Sequence, residues 1–369
     1  MSRRGVLVAL VLVLALAASA CSAAPEPVVA PSSSPTNHSP SPAPTPTPSP
    51  SNAVAASTPP ATHPALPRRF TAGDEASVAV AVLTAWGSAG AARTVDAPAL
   101  ENPVRYISWL AAMTTAQRRA LSPTRVNTSV LYGERILITG VKGDWLKIAV
   151  PSQKSPWDAR GYPGWVPARQ LSPKRVPDAQ RLVTVIAKTT WLADAAGKRV
   201  LEVGYATRLP LVAEHGDRVE AWSPGPGTVF LSAADVSVHD ASRPAQPKTV
   251  ESVLADARRF LGLPYLWDGS SAWGFDCSGI TYQVYRTHGV LLPRDSFGQV
   301  TVGRKIERRD DLLPGDLIFF ATNGRVHHVG FFLGGDAMLH APRTGKTVEI
   351  VTLAESGLDH EFAGGRRFL

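Results

Sequence analysis

The sequence predicts an α+β C-terminal domain preceded by two small β-barrels and a disordered N-terminal tether. Three observations carry that expectation. A segment with apolar residues at helical spacing opens at Cys277, and an apolar strand run and a Gly-Gly hairpin bearing His328 and His340 follow it. Between residues 124 and 238, short β-rich runs alternate with Gly, Asp and Pro turn signals. Residues 22–67 are Pro, Ser, Thr and Ala with almost no large apolar side chain. The chain has 369 residues, which after a leader and tether leaves room for about three small domains.

The leader spans residues 1–21. Arg3 and Arg4 form a basic start, and residues 5–17 form an apolar run too short to span a bilayer as a mature helix. Ala18-Ser19-Ala20-Cys21 permits ordinary secretory cleavage after Ala20, or lipidation of Cys21 as the new N-terminus. We expect lipidation, because Cys21 has no other evident purpose. Either way the protein leaves the cytoplasm. The tether over 22–67 cannot bury enough apolar surface to offset its ordering entropy and is expected to stay extended.

Residues 68–172 are read as a helical lead-in plus a first barrel. Val78, Val82 and Leu83, then Tyr106, Trp109, Leu110 and Met113, recur at helical spacing and predict one or two helices. Beyond residue 124, Leu131-Tyr132-Gly133-Glu134, Gly143-Asp144-Trp145-Leu146-Lys147 and Gly164-Trp165-Val166-Pro167 separate five short strands. These runs resemble a bacterial SH3-like domain. A weaker repeat of the theme predicts a second such barrel over 180–240.

The last domain is expected over 248–369. Val253, Leu254, Ala257, Phe260 and Leu261 define an amphipathic helix. Leu317-Ile318-Phe319-Phe320 reads as a buried central strand. Of the two cysteines in the chain, Cys277 is the one outside the leader. It stands at the start of a predicted helix, where the helix dipole and free backbone N–H groups favour thiolate over thiol. A nucleophilic thiolate needs a base, and the base needs an orienting partner. His328 and His340 lie six residues either side of Gly334, so a hairpin brings both imidazoles to one face. His215, His288 and His327 are expected to be ordinary surface or core residues.

These landmarks resemble the NlpC-type cell-wall cysteine peptidases, papain-like enzymes that cut peptidoglycan stem peptides. The resemblance rests on Leu263-Pro264-Tyr265-Leu266-Trp267, Asp276-Cys277-Ser278-Gly279, Leu292-Pro293-Arg294-Asp295-Ser296, Leu313-Pro314-Gly315-Asp316-Leu317, His328-Val329-Gly330 and His340-Ala341, in that order. It implies a papain-like fold with Cys277 as nucleophile, His328 as general base and His340 as the orienting third residue. Tyr265, Asp276, Ser278 and Ser296 match substrate-lining positions, with Asp276 suited to the free amine of an N-terminal L-Ala. Asp268 departs from the family's usual Gly. In one branch the first barrel leans over the active site, and Glu134 and Tyr162 are the residues expected to reach in.

The resemblance implies an endopeptidase for the γ-D-glutamyl–diamino acid bond, acting without cofactor or metal as a monomer. Two other readings are an amidase cutting before L-Ala and a wall-binding lipoprotein with a silent peptidase domain. The formal net charge of +8 suits an anionic envelope of wall polymer and phospholipid. Nucleic acid is a poor partner for this chain, because no Lys/Arg stripe interleaved with aromatics is present.

Overall fold

Strand-forming residues dominate the N-terminal half, and the computed structural model places them in two sheets. It describes residues 70–225 and 227–369. The leader, Cys21 and the tether expected over 22–67 lie outside the described residues. The first sheet contains β1 (Glu75–Val78), β2 (Val82–Trp86), β3 (Val126–Leu131), β4 (Arg135–Lys142), β5 (Trp145–Val150), β6 (Tyr162–Pro167) and β7 (Leu171–Ser172). Its strand order is β3-β2-β6-β5-β4-β1-β7. Val78, Val82 and Leu83 therefore lie in strands, which corrects the helix expected there. The reason is two-sided burial: every residue of β2 is buried. Val82 and Trp86 face one core while Leu83 and Ala85 face another, so no polar alternation marks the strand. The second helical stretch does form α1 (Tyr106–Ala112), followed by α2 (Thr115–Arg119).

The second sheet runs β8 (Arg181–Val185), β9 (Thr189–Ala193), β10 (Arg199–Gly204), β11 (Arg208–His215), β12 (Arg218–Trp222), β13 (Thr228–Ser232) and β14 (Val236–Asp240). Its order is β10-β9-β13-β12-β11-β8-β14. Replacing each strand of the first sheet by its counterpart in the second reproduces this order without exception. The difference lies between the second and third strands. There the first sheet carries residues 87–125, with α1 and α2, where the second has residues 194–198.

The C-terminal domain begins with α3 (Val250–Arg258), the two short strands β15 (Ser270–Ser271) and β16 (Gly274–Phe275), and α4 (Cys277–Thr287). After α5 (Ser296–Gln299) comes an antiparallel sheet of β17 (Arg304–Ile306), β18 (Leu317–Thr322), β19 (Arg325–Gly334), β20 (Ala337–His340), β21 (Glu349–Thr352) and β22 (Phe362–Arg367). The order is β17-β22-β18-β19-β20-β21. Leu317, Phe319, Val329 and Phe331 turn one face toward α4, and Ile318, Phe320 and Phe332 turn the other toward Leu312 and Leu353.

The core under α4 does not stop at the domain edge. Trp86, Trp109 and Leu131 from the first sheet and its insertion belong to one apolar cluster with Phe260, Tyr282 and Phe331. Polar contacts follow the same seam. The Ser270 amide donates to Ser129 Oγ at 2.7 Å, and Tyr282 donates to the Ser152 carbonyl at 2.8 Å. The second sheet is held by Tyr205, whose hydroxyl donates to Asp256 at 2.7 Å and meets Thr287 at 2.5 Å. His288 completes that buried group through Asp256 at 3.2 Å, so it is structural, as expected. His215 and His327 face Glu220 and Glu361, at 3.0 and 3.1 Å.

Candidate active site

Two backbone requirements set the position of the thiol. Asp276 is the N-cap of α4, and its Oδ1 accepts from the Gly279 amide at 2.5 Å. Gly279 is obligatory for a second reason. A Cβ there would lie 2.0 Å from the Gly269 carbonyl oxygen, so the first turn of α4 can press against the loop at Gly269 only without a side chain. Cys277 is consequently the first residue of the helix, and it is 8% exposed. The backbone N–H groups of Ser278 and of Val329, the residue after His328, favour its thiolate form, and Cys277 packs in one cluster with Val329. That packing puts the thiol against β19, beside the base candidate.

His328 and His340 come together as the hairpin spacing predicts. In the β19–β20 ladder Phe331 pairs with Leu339 and Phe332 with Met338. Continuing the register sets Gly330 opposite His340 and makes His328 its diagonal neighbour. His328 Nε2 lies 2.8 Å from His340 Nδ1, and the rings meet edge to face. A Cβ at Gly330 would lie 3.2 Å from His340 Cβ. The glycine therefore keeps the space above His340 as much as that beside His328.

Burial decides the charges. The thiol is pushed up to about 12, first by desolvation and then by the Asp276 carboxylate. Desolvation, then His340, holds His328 well below its ordinary range, and desolvation brings His340 down to about 4. The helix end contributes only about 0.3–1 kcal/mol, so burial works against the thiolate that the helix start was expected to favour.

The four pocket candidates are all buried. Tyr265 is 7% exposed and feels the charges of Cys277 and Asp276. The Ser278 hydroxyl donates to Asp276 at 3.2 Å and accepts from Arg294 at 3.0 Å. Ser296 opens α5, and its hydroxyl has no side-chain partner among the described residues. Asp276 is engaged differently from expectation. Arg294, fully buried, reaches both carboxylate oxygens, at 3.2 and 2.8 Å. With the helix cap added, Asp276 has little capacity left for a ligand's amine.

Two nearby carboxylates remain. The Tyr162 hydroxyl donates to Asp295 at 2.9 Å, so Tyr162 does reach the pocket from the first sheet. Asp268 takes the left-handed conformation (φ 56°) that glycine adopts most easily. Its carboxyl is pushed well up by desolvation, then by Asp276 and Asp295. Glu134 does not reach the pocket. It pairs with Arg286 at 2.6 Å near the other end of α4 and accepts from Ser152 at 2.8 Å. Arg294 and Asp295 were not singled out from sequence, although they sit inside the landmark Leu292-Pro293-Arg294-Asp295-Ser296. The signal was a charged pair between apolar and turn residues. The first sheet also touches Arg294, whose Nε donates to Thr128 Oγ1 at 3.1 Å.

Comparison with known proteins agrees with this geometry. Residues 262–367 match the NlpC/P60 family and residues 185–239 match the YKFC SH3b2 domain. A γ-D-glutamyl-L-lysine dipeptidyl-peptidase from Bacillus subtilis is 38% identical over 296 residues, covering 79% of this chain and 98% of the relative. A protein of the same name from Bacillus cereus is 34% identical, covering 80% and 91%. The crystal structure of an NlpC/P60 family protein from Bacillus cereus superposes with a TM-score of 0.75 at 34% identity, over 80% of this chain and 100% of that one. The first sheet shares its strand order with the second, the one over which the SH3b2 match lies. On its motifs, its fold and these relatives together, the chain belongs to the NlpC/P60 family.

Proposed function

We propose that this protein is a cysteine endopeptidase that cleaves the γ-D-glutamyl–diamino acid bond of peptidoglycan stem peptides and favours peptides with a free N-terminal L-Ala. The observation that carries the reading is the thiol of Cys277 at the first turn of α4, packed in one cluster with Val329 beside His328, with His340 bonded to His328. Cys277 attacks the γ-carbonyl carbon while its proton passes to His328. The Cys277 backbone N–H at the helix start stabilises the oxyanion. As the C–N bond breaks, His328 returns the proton to the leaving amine, and water then hydrolyses the thioester. Because both groups rest neutral, His328 acts as a general base within the attack step and not as one half of a standing ion pair.

The free amine is read by carboxylates other than Asp276, which Arg294 and the helix cap occupy. Asp268 and Asp295 surround the same guanidinium. Burial, then repulsion from neighbouring carboxylates, raises both carboxyls, and an ammonium group brought in beside them would offset that repulsion. Action outside the cytoplasm, with Cys21 lipidated as a membrane anchor, completes the proposal. Incorporation of labelled fatty acid by the wild type and not by Cys21→Ser tests the anchor.

The deciding experiment is mass spectrometry of products from L-Ala-γ-D-Glu peptides ending in L-Lys or diaminopimelate, each with a free or acetylated N-terminus. The expected result is release of L-Ala-γ-D-Glu from the free peptides, lost in Cys277→Ala. Equal cutting of the acetylated peptides would remove the amine preference. Release of free muramyl fragments from intact wall, with the peptides untouched, would make the protein an amidase.

A further inference from the structure

One nitrogen of the histidine pair is unaccounted for. His340 Nδ1 is taken by His328, but His340 Nε2 is buried and has no well-formed hydrogen bond. The polar atom beside it is Glu349 Oε1, 3.5 Å away. This neighbour is set by register, not by a loop: Glu349 stands directly opposite His340 in the β20–β21 ladder.

Both imidazoles are neutral at pH 7, so each carries one proton on one of two nitrogens. With the His340 proton on Nδ1, the buried Nε2 lone pair would face the Glu349 carboxylate at 3.5 Å, and the contact would repel. With the proton on Nε2, it points at Glu349, and Nδ1 becomes an acceptor. His328 must then donate from Nε2, which leaves its own lone pair on Nδ1. Among the described residues no hydrogen bond engages that atom, so it is free to take a proton.

We propose that Glu349 is a positioning residue, which holds the His340 proton on Nε2 and thereby fixes both imidazole tautomers in series, leaving His328 Nδ1 as the base for Cys277. The relay then has four members, Cys277, His328, His340 and Glu349, and its last is a carboxylate on the strand next to His340. The inference rests on the reading of Cys277 and His328 as nucleophile and base. Sequence alone did not mark Glu349, which sits in Thr347-Val348-Glu349-Ile350 as an ordinary polar position on a strand. Its side chain is 36% exposed, so solvent screens its charge and the main effect is on which nitrogen is protonated, not on through-space attraction.

The test compares the full chain with Glu349→Gln and Glu349→Leu. Nitrogen-15 spectra of the histidine rings at pH 7 report the protonated nitrogen, and steady-state kinetics on the free-amine peptide report kcat and KM. The expected wild-type spectrum shows His328 and His340 both protonated on Nε2. Glu349→Gln, which keeps an acceptor oxygen, retains both tautomers and most of kcat. Glu349→Leu gives His340 a mixed tautomer and lowers kcat about tenfold, the size of one pKa unit of lost basicity, with KM unchanged. A wild type protonated on His340 Nδ1, or a Glu349→Leu variant with wild-type tautomers and kcat, overturns the proposal. Should Glu349→Leu fail to fold, the wild-type spectrum alone decides. A wild type without peptidase activity would sink the peptidase reading, while the ring spectra would still judge the tautomers.

Discussion

At the scale of single residues, the pocket is governed by what burial does to charge. A thiol held up to about 12 is almost wholly protonated at neutral pH, so its alkylation by iodoacetamide in the free protein should accelerate steadily from pH 6 to 10. A plateau across neutral pH would instead reveal a standing thiolate–imidazolium pair. The acidic cluster gives a second pH signature. Asp268 is neutral below its raised pKa and charged above it. KM for the free-amine peptide should therefore fall as pH rises through the range in which Asp268 ionises. Asp268→Gly should flatten that fall. Arg294 supports a third prediction. Removing the guanidinium strands the Asp276 carboxylate in a buried site, and Arg294→Met should cost about 3–5 kcal/mol in denaturant unfolding. How far these residues were legible varied with their chemistry. Cys277, His328 and His340 are rare residue types at telling spacings, and the structure brings the two histidines into contact. Asp276 was legible as a helix cap, but its arginine partner lies eighteen positions away, and nothing local to Asp276 announces that its carboxylate is already engaged. The thiol's charge state was misjudged because desolvation depends on tertiary burial, which a helix-start motif does not encode.

At the scale of elements, α4 and the β19–β20 hairpin meet because small residues stand where backbones must touch. Gly279→Ala forces a Cβ to 2.0 Å from the Gly269 carbonyl. Backbone cannot yield as a flexible side chain does, so we expect a loss of about 1–3 kcal/mol or more. The same shift moves Cys277 off β19, so kcat should drop further than stability accounts for. Thermal unfolding and kinetics on the one variant separate the two effects. Elements were most legible where burial is one-sided or a turn is marked. The amphipathic α3 was placed from period, and the hairpin from the Gly-Gly turn between its apolar runs. The strand β2 was misread because both its faces are covered, one by the first sheet's core and one by the core that continues under α4.

At the scale of the whole molecule, the described residues pack as one compact unit in which the first sheet's insertion supplies part of the floor beneath α4. Trp86 and Trp109 share a cluster with Phe260 and Tyr282, and Arg286 is neutralised by Glu134 of the first sheet. Calorimetry should show a single endotherm for residues 70–369, and a fragment starting at residue 248 should lack a cooperative transition. Separate transitions for the N-terminal sheets and the C-terminal domain would refute that coupling. The repeated strand order of the two sheets sharpens the point. The two modules match strand for strand, and the helices between β2 and β3 are where the first departs from the second. Because that insertion packs into the core beneath α4, exchanging the C-terminal domain for a relative's would take from Trp86 and Trp109 the apolar partners they have here.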